Sequence, residues 1–227
     1  DDNGNSSNSS SLKLGVVVEV QGDDIVTPAT GLPTSTARSV VFRSEIKGPV
    51  SSVDLATGTL TVLGQTVKIS ASTVFDLNLP NGLASVAVGR LLEVYGFVDA
   101  NGVYQATRIE GEDSTSTYKI RGKLSALNTA AKTFQIGAAI IDYSAINFNF
   151  TLVNGQTIRV ELAATPNALG QWVATRLNSA TALGNAASSA ATVELEGVVT
   201  SVAGARSFVV DGISVDAGGV SSFPAGI

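Results

Sequence analysis

Hydrophobic and polar residues alternate along most of this chain, in short runs punctuated by glycine. The run Ile46-Lys-Gly48-Pro-Val50-Ser-Ser-Val53 puts apolar side chains on one side of an extended backbone and polar ones on the other, as a half-buried strand requires. Two further runs follow, Gly58-Thr-Leu60-Thr-Val62 and Val67-Lys-Ile69, joined through Leu63-Gly64-Gln65, which predicts a tight hairpin. Next comes Val88-Gly89-Arg-Leu-Leu92-Glu-Val94-Tyr-Gly96. The turn signal Asp99-Ala-Asn101-Gly102 and a last run, Tyr104-Gln-Ala106-Thr-Arg108-Ile109, complete the set. No segment sustains a helical period, so the unit reads as five strands.

The same order recurs. Gly48, Gly122 and Gly197 sit in matching runs at intervals of 74 and 75 residues, the later copies reading Ile120-Arg-Gly122-Lys-Leu124 and Leu195-Glu-Gly197-Val-Val199. A glycine inside such a run predicts a bulge or sharp bend. The second strand recurs at Lys132-Thr-Phe134-Gln-Ile136 and Arg206-Ser-Phe208-Val-Val210, and the third at Ile140-Ile-Asp142 and Ile213-Ser-Val215. The fourth recurs at Val153 to Val160 and at Leu14 to Gly22, and the fifth at Val173 to Leu177 and, more loosely, Ala37 to Val40. Five short curved strands are too few for a stacked sandwich and suit a small barrel. The predicted fold class is all-β: tandem five-stranded OB-like barrels with incomplete half-units at both termini.

The runs from Glu45 to Glu112, GTLTVLGQTV, VGRLLEVYG and DANGVYQATRIE among them, resemble the bacterial domain-of-unknown-function family 5666. The resemblance implies export or lipid anchoring and tandem copies, and it brings no catalytic or ligand residues with it. The middle copy departs most, with Gly137-Ala-Ala139 at the hairpin.

The phase of the repeat is unusual. Residues 1–43 supply the last two strands of a unit, 44–112 a complete unit, and 118–178 a complete but divergent one. An Ala/Ser-rich linker spans 179–192, and 193–227 supply the first three strands of another unit. Two readings stand open. Either the sequence is a piece of a longer, processed array, or the two half-units complement each other, within one chain or between successive chains. Complementation between chains gives a head-to-tail filament. The opening DDNGNSSNSS then aligns, Asp2 on Asp76, with the loop before a fourth strand.

Composition narrows the chemistry. The chain has no Cys and no His, which removes disulfides, thiolate sites and the side chain most suited to proton transfer near neutrality. A net charge of −5 argues against a nucleic-acid partner. No apolar run is long enough to span a membrane as a helix. Low Lys with abundant Ser, Thr, Asn and Gly suits an extracellular or envelope protein, and any lipidated Cys would precede Asp1.

The remaining candidates each have a bland counterpart. Carboxylates are the only acid–base candidates left. Glu110, Glu112 and Asp113 cluster at the end of a strand, and Asp23-Asp24 lie in a turn. As adjacent residues in linkers they read as solvated rather than as a glycosidase-type pair. Arg38, Arg108 and Arg176 read as one recurring strand position, pairing with Glu19 or Glu93 on the adjacent strand, with Gln156 and Arg159 replacing that arrangement in the middle copy. Trp172, Tyr95, Tyr104, Tyr118 and Tyr143 could stack on sugars but are scattered, which favours packing. Asn5, Asn8 and Asn149 head N-x-[ST] acceptor motifs. Asp1-x-Asn3-x-Asn5 lacks the acidic twelfth ligand of a calcium loop, where Leu12 stands. No catalytic residue, cofactor or metal site emerges. The expected role is structural, with self-association as the assembly mode; a surface adhesin or glycan-binding module is the alternative.

Overall fold

The computed structural model describes residues 6–7, 12–26, 28–30, 33–42, 44–99, 101–179, 193–204, 206–210, 213–220 and 223–224. These residues form strands β1 (Ser6–Ser7), β2 (Val17–Gly22), β3 (Thr34–Phe42), β4 (Ile46–Asp54), β5 (Thr59–Val62) and β6 (Gln65–Lys68). There follow β7 (Val74–Phe75), β8 (Leu91–Val98), β9 (Tyr104–Glu112), β10 (Thr117–Asn128), β11 (Thr133–Ile136) and β12 (Ala139–Asp142). The last are β13 (Thr157–Ala163), β14 (Trp172–Ser179), β15 (Val193–Gly204), β16 (Ser207–Val210), β17 (Ile213–Asp216) and β18 (Phe223–Pro224). Among the described residues the only helical turn is a 3₁₀ turn at Gly82–Ser85.

The chain divides into two compact units, one of Asp1–Ser44 with Leu183–Ile227 and one of Glu45–Ala182. Residues 45–112 of the expected segment 44–112 lie with 118–178 in one unit, and Ser44 falls with 1–43 and 193–227 in the other. Ser179 ends β14, and the rest of the predicted linker lies outside the described residues.

In the unit Asp1–Ser44/Leu183–Ile227, the strands close a barrel in the order β15-β16-β17-β3-β2. The β17–β3 pairing is parallel and the others are antiparallel. Val18, Val20, Val40, Val199, Phe208, Val210 and Val215 are buried in this unit.

In the unit Glu45–Ala182 the pairings run β4–β5, β5–β6, β6–β9 (parallel), β9–β8 and β8–β4, which returns to its start. A second circuit runs β10–β11, β11–β12, β12–β14 (parallel), β14–β13 and β13–β10. The two rings are joined where β4 pairs with β10, Ile46 opposite Ile120 and Lys47 opposite Lys119. One continuous core fills both, with Leu60, Ile109, Phe134 and Ile141 all but inaccessible.

The alternation explains the rings. The first strand of each ring is long and pairs on both sides, its first half with the fourth strand and its second half with the second. A bulge between Val50 and Ser52, and another between Ser125 and Asn128, bends the strand where the partner changes. The glycines predicted to make this bend do something else. A Cβ on Gly48 would stand 2.6 Å from the Leu63 side chain, and one on Gly122 would stand 2.5 Å from Ile136 and 2.7 Å from the Tyr104 hydroxyl. The missing Cβ leaves room for a core side chain to pack directly on the glycine. At the first hairpin both turn residues, Leu63 and Gly64, have positive φ, as a two-residue primed turn requires.

Hydrogen bonds around the first hairpin and from β9 to β10 lock the two rings together. The Gln65 amide, buried at 3% exposure, donates to the Leu63 carbonyl at 3.0 Å and to the Ile136 carbonyl at 2.6 Å. The Tyr104 hydroxyl donates to the Arg121 carbonyl at 2.6 Å. Gly137 faces Gln65 so closely that a Cβ there would fall 2.1 Å from Oε1.

Candidate functional site

Three features bear on function, and the first is the split barrel. Two of its five seams join segments far apart in the chain. β2 meets β15 over six residue pairs, from Val193 opposite Gly22 to Val198 opposite Val17, and β3 meets β17 over three. Ser6 and Ser7 of β1 also pair with Pro224 and Phe223 of β18. The N-terminal half contributes Val18, Val20 and Val40 to the buried set and the C-terminal half contributes Phe208, Val210 and Val215. Separated, each half would carry unpaired edges and an uncovered apolar face.

The second feature is a charged sheet face on the unit Glu45–Ala182. Residues directly opposite on neighbouring strands point the same way. Register therefore sets Arg176, Glu161, Lys119, Lys47, Glu93 and Glu110 in one row across β14, β13, β10, β4, β8 and β9. Lys47 Nζ lies 3.0 Å from Glu93 and 3.2 Å from Glu112, and Arg108 Nε lies 2.6 Å from Glu110 on its own strand. Beside the row, Arg121 meets Glu45 at 2.8 Å, with the Glu45 side chain fully enclosed.

The expected solvated linker is corrected here. Glu110 and Glu112 belong to β9, and their side chains are 15% and 27% exposed; only Asp113, at 90%, is open to solvent. Burial pushes the Glu112 carboxyl above its ordinary value; Lys47 opposes that shift and Glu93 reinforces it. Burial also works against the Lys47 charge, but Glu93 and Glu112 outweigh it and raise the Lys47 pKa. Each of these carboxylates meets a cation, Glu93 and Glu112 across strands at Lys47 and Glu110 along its own strand at Arg108, so the arrangement is chemically one of ion pairing.

The arginine row is also corrected. Arg108 stands opposite Tyr95 and Arg176 opposite Glu161, but their counterpart opposite Gln21 is Ser39. Arg38 falls in the bulge between the two registered residues, and it pairs with Asp23 rather than Glu19. Glu93 pairs with Lys47, not with an arginine on β9. In the middle ring Arg176 reaches Glu161 at 3.8 Å, while Gln156 bonds Ser179. Lys47 and Gln65 went unnoticed in the sequence. The only signal was the outward-facing residue before the repeated glycine, a position that any strand fills with a polar side chain.

The third feature is a groove of about 510 Å³ lined by Ile146 to Asn149 on one side and Thr175 to Asn178 on the other. Phe148, on the groove wall, contacts the Tyr143 and Phe150 rings with centroids 5.8 and 5.1 Å away, and Phe134 stacks on Tyr143 at 5.6 Å. Tyr118 and Trp172 meet edge to face at 5.6 Å. Tyr95, Tyr104 and Tyr143 are buried, so these aromatics pack rather than form an exposed platform. Asn149 is exposed on the groove's rim. Asn5, Asn8 and the Asp1-Asn3-Asn5 pattern lie outside the described residues. Among the described residues no cluster of three or more acidic side chains could hold a metal ion, and no helix is long and apolar enough to cross a membrane.

Residues 47–110 match the family described as Domain of unknown function (DUF5666). That stretch covers all but the ends of the first ring of the unit Glu45–Ala182. No curated protein matches the chain.

Proposed function

We propose that this chain is a non-enzymatic structural protein of the cell envelope or extracellular space, and that its split barrel is an assembly joint. Here the joint is closed by the two halves of one chain. The same seams can equally be closed by the 193–227 half of one chain and the 1–43 half of the next, because nothing in the β2–β15 and β3–β17 pairings depends on the halves sharing a chain. Successive exchange gives a head-to-tail polymer whose rigid spacer is the pair of rings in Glu45–Ala182. The observation that supports this most is the discontinuous ring itself, β15-β16-β17-β3-β2.

Physical considerations set the conditions. Closure within one chain competes at an effective concentration on the order of mM. Exchange therefore needs chains released together at high local concentration, or refolded there. The OB-type reading of the rings, the repeat array and the extracellular location belong to this proposal; a composition rich in Ser, Thr, Asn and Gly supports the location. Catalysis is disfavoured because the half-buried carboxylates are ion-paired and the chain has no histidine.

The test is mass against concentration. Chains refolded at rising concentration should elute with light-scattering masses at multiples of 23.1 kDa and show linear fibres by negative stain. A well-folded monomer at every concentration would sink the proposal.

A further inference from the structure

The rings differ at one edge. In the first ring the chain after the third strand turns back as β7 and lies parallel to β9, Val74 opposite Arg108 and Phe75 opposite Ile109. The Ile109 carbonyl accepts the Asp76 N–H at 3.1 Å, the Thr73 hydroxyl donates to the Ala106 carbonyl, and the Asp76 carboxylate accepts the Gly111 N–H. In the split barrel β18 stands at the matching place in the chain and lies beside β3.

The middle ring has no such strand. Matching Val67–Tyr104 to Ile141–Trp172 in the two parallel pairings puts Phe148 and Asn149 where Val74 and Phe75 stand, and Arg176 and Leu177 where Arg108 and Ile109 stand. Among the described residues β14 pairs only with β13 and, at its first two residues, with β12. The groove of about 510 Å³ between Ile146–Asn149 and Thr175–Asn178 is that slot, standing open.

The geometry points to this groove as a strand-addition site for an extended peptide from a partner protein, carrying two apolar residues followed by a carboxylate. The backbone of β14 at Leu177 supplies the edge, as Ile109 does in the first ring. Phe148, Ile146 and Leu177 supply apolar walls. Charge selects the acidic residue. Arg176, half exposed, is the only ionic side chain lining the groove. Its counterpart Arg108 is held by Glu110 at 2.6 Å, but Asn178 takes the place of Glu110 here. Its ion pair with Glu161, at 3.8 Å, is longer than a hydrogen bond and leaves the guanidinium half exposed. An incoming carboxylate therefore has a guanidinium to meet.

The test uses the full chain and a synthetic peptide with the sequence of residues 72–78, Ser-Thr-Val-Phe-Asp-Leu-Asn, the segment that fills the slot in the first ring. Trp172, the sole tryptophan, opens β14 and reports binding by fluorescence. A saturable change is expected, weakened about tenfold by the Asp→Asn peptide or by Arg176→Ala, the loss of one charge-assisted contact. A peptide N-methylated at that Asp should not bind, because it lacks the N–H that Leu177 would accept. Absence of saturation overturns the inference, as does equal binding of the N-methylated peptide or indifference to Arg176→Ala. Slow amide exchange at Leu177 without peptide would show that the chain's own 146–149 segment closes the slot, and would overturn it too.

Discussion

Gly137 and Gln65 offer the sharpest test of how the two rings are fused. Gly137 has φ +54, where an alanine costs about 1 kcal/mol or more. Its new Cβ would also fall 2.1 Å from Gln65 Oε1. Gln65 must then swing away from the Leu63 and Ile136 carbonyls it now satisfies at 3.0 and 2.6 Å. Leaving two buried carbonyls short of a donor costs roughly 1 kcal/mol each. Gly137→Ala should therefore cost about 3 kcal/mol in all. Gln65→Ala alone should cost about 2 kcal/mol. In that background nothing is left to displace, so Gly137→Ala should add only about 1 kcal/mol, a coupling of about 2 kcal/mol. Urea unfolding followed by Trp172 fluorescence reads the unit Glu45–Ala182 selectively. The single Gly137→Ala change should lower its midpoint by about 1 to 2 M. Simple additivity of the two substitutions would refute the reasoning, because the steric conflict would then lie elsewhere.

Other outcomes follow from the same contacts. Tyr104→Phe removes the 2.6 Å bond to the Arg121 carbonyl and should cost about 1 kcal/mol in the same assay. Phe134 and Phe208 are both all but inaccessible. Phe134→Ala should cost about 3–5 kcal/mol and shift the Trp172 transition, whereas Phe208→Ala should destabilise the split barrel by a similar amount, visible by circular dichroism. Asp142 is held below the ordinary carboxylate range by the Ser144 hydroxyl and N–H and by Asn167. A depressed folded value gives stability that is full above the unfolded value of 3.8 and is lost as the pH falls through the folded one. Asp142→Asn should thus be less stable than the parent at pH 7, with the gap closing in acid. Glu112 has the opposite sign, its folded value lying above 4.5. Glu112→Gln should gain on the parent at pH 7 and lose that advantage as the pH drops through the raised value, read by denaturant titration at stepped pH.

The strands and the first hairpin were legible because alternation and Leu63-Gly64 act locally. The ring fusion was not. Ile46 and Ile120 carry the same pattern as any buried strand residue, and nothing in that pattern says that they face each other. The Arg38 alignment was out by one residue. The fifth strand carries a bulge at the same place in all three copies, at Thr107, Thr175 and Arg38, so Ser39 is the true counterpart of Arg108 and Arg176. The loose Ala37 to Val40 pattern did not show it. Glu110 and Glu112 looked like the start of a polar linker, yet the chain stays in the sheet there. Gly111 permits it, packed tightly against Arg90, Asn78 and Leu79. The open groove was invisible because it comes from a missing pairing, and the runs that line it look as extended as those that pair elsewhere.

The assembly joint can be tested most directly with a single cross-link. Gln21 and Glu194 stand opposite each other across the β2–β15 seam, and the chain contains no cysteine. In a Gln21→Cys/Glu194→Cys variant, oxidation traps whichever halves are paired. After refolding at high concentration, exchange between chains predicts a non-reducing gel ladder at multiples of 23.1 kDa that collapses to one band on reduction. Circularised monomer alone, at every concentration, would contradict it.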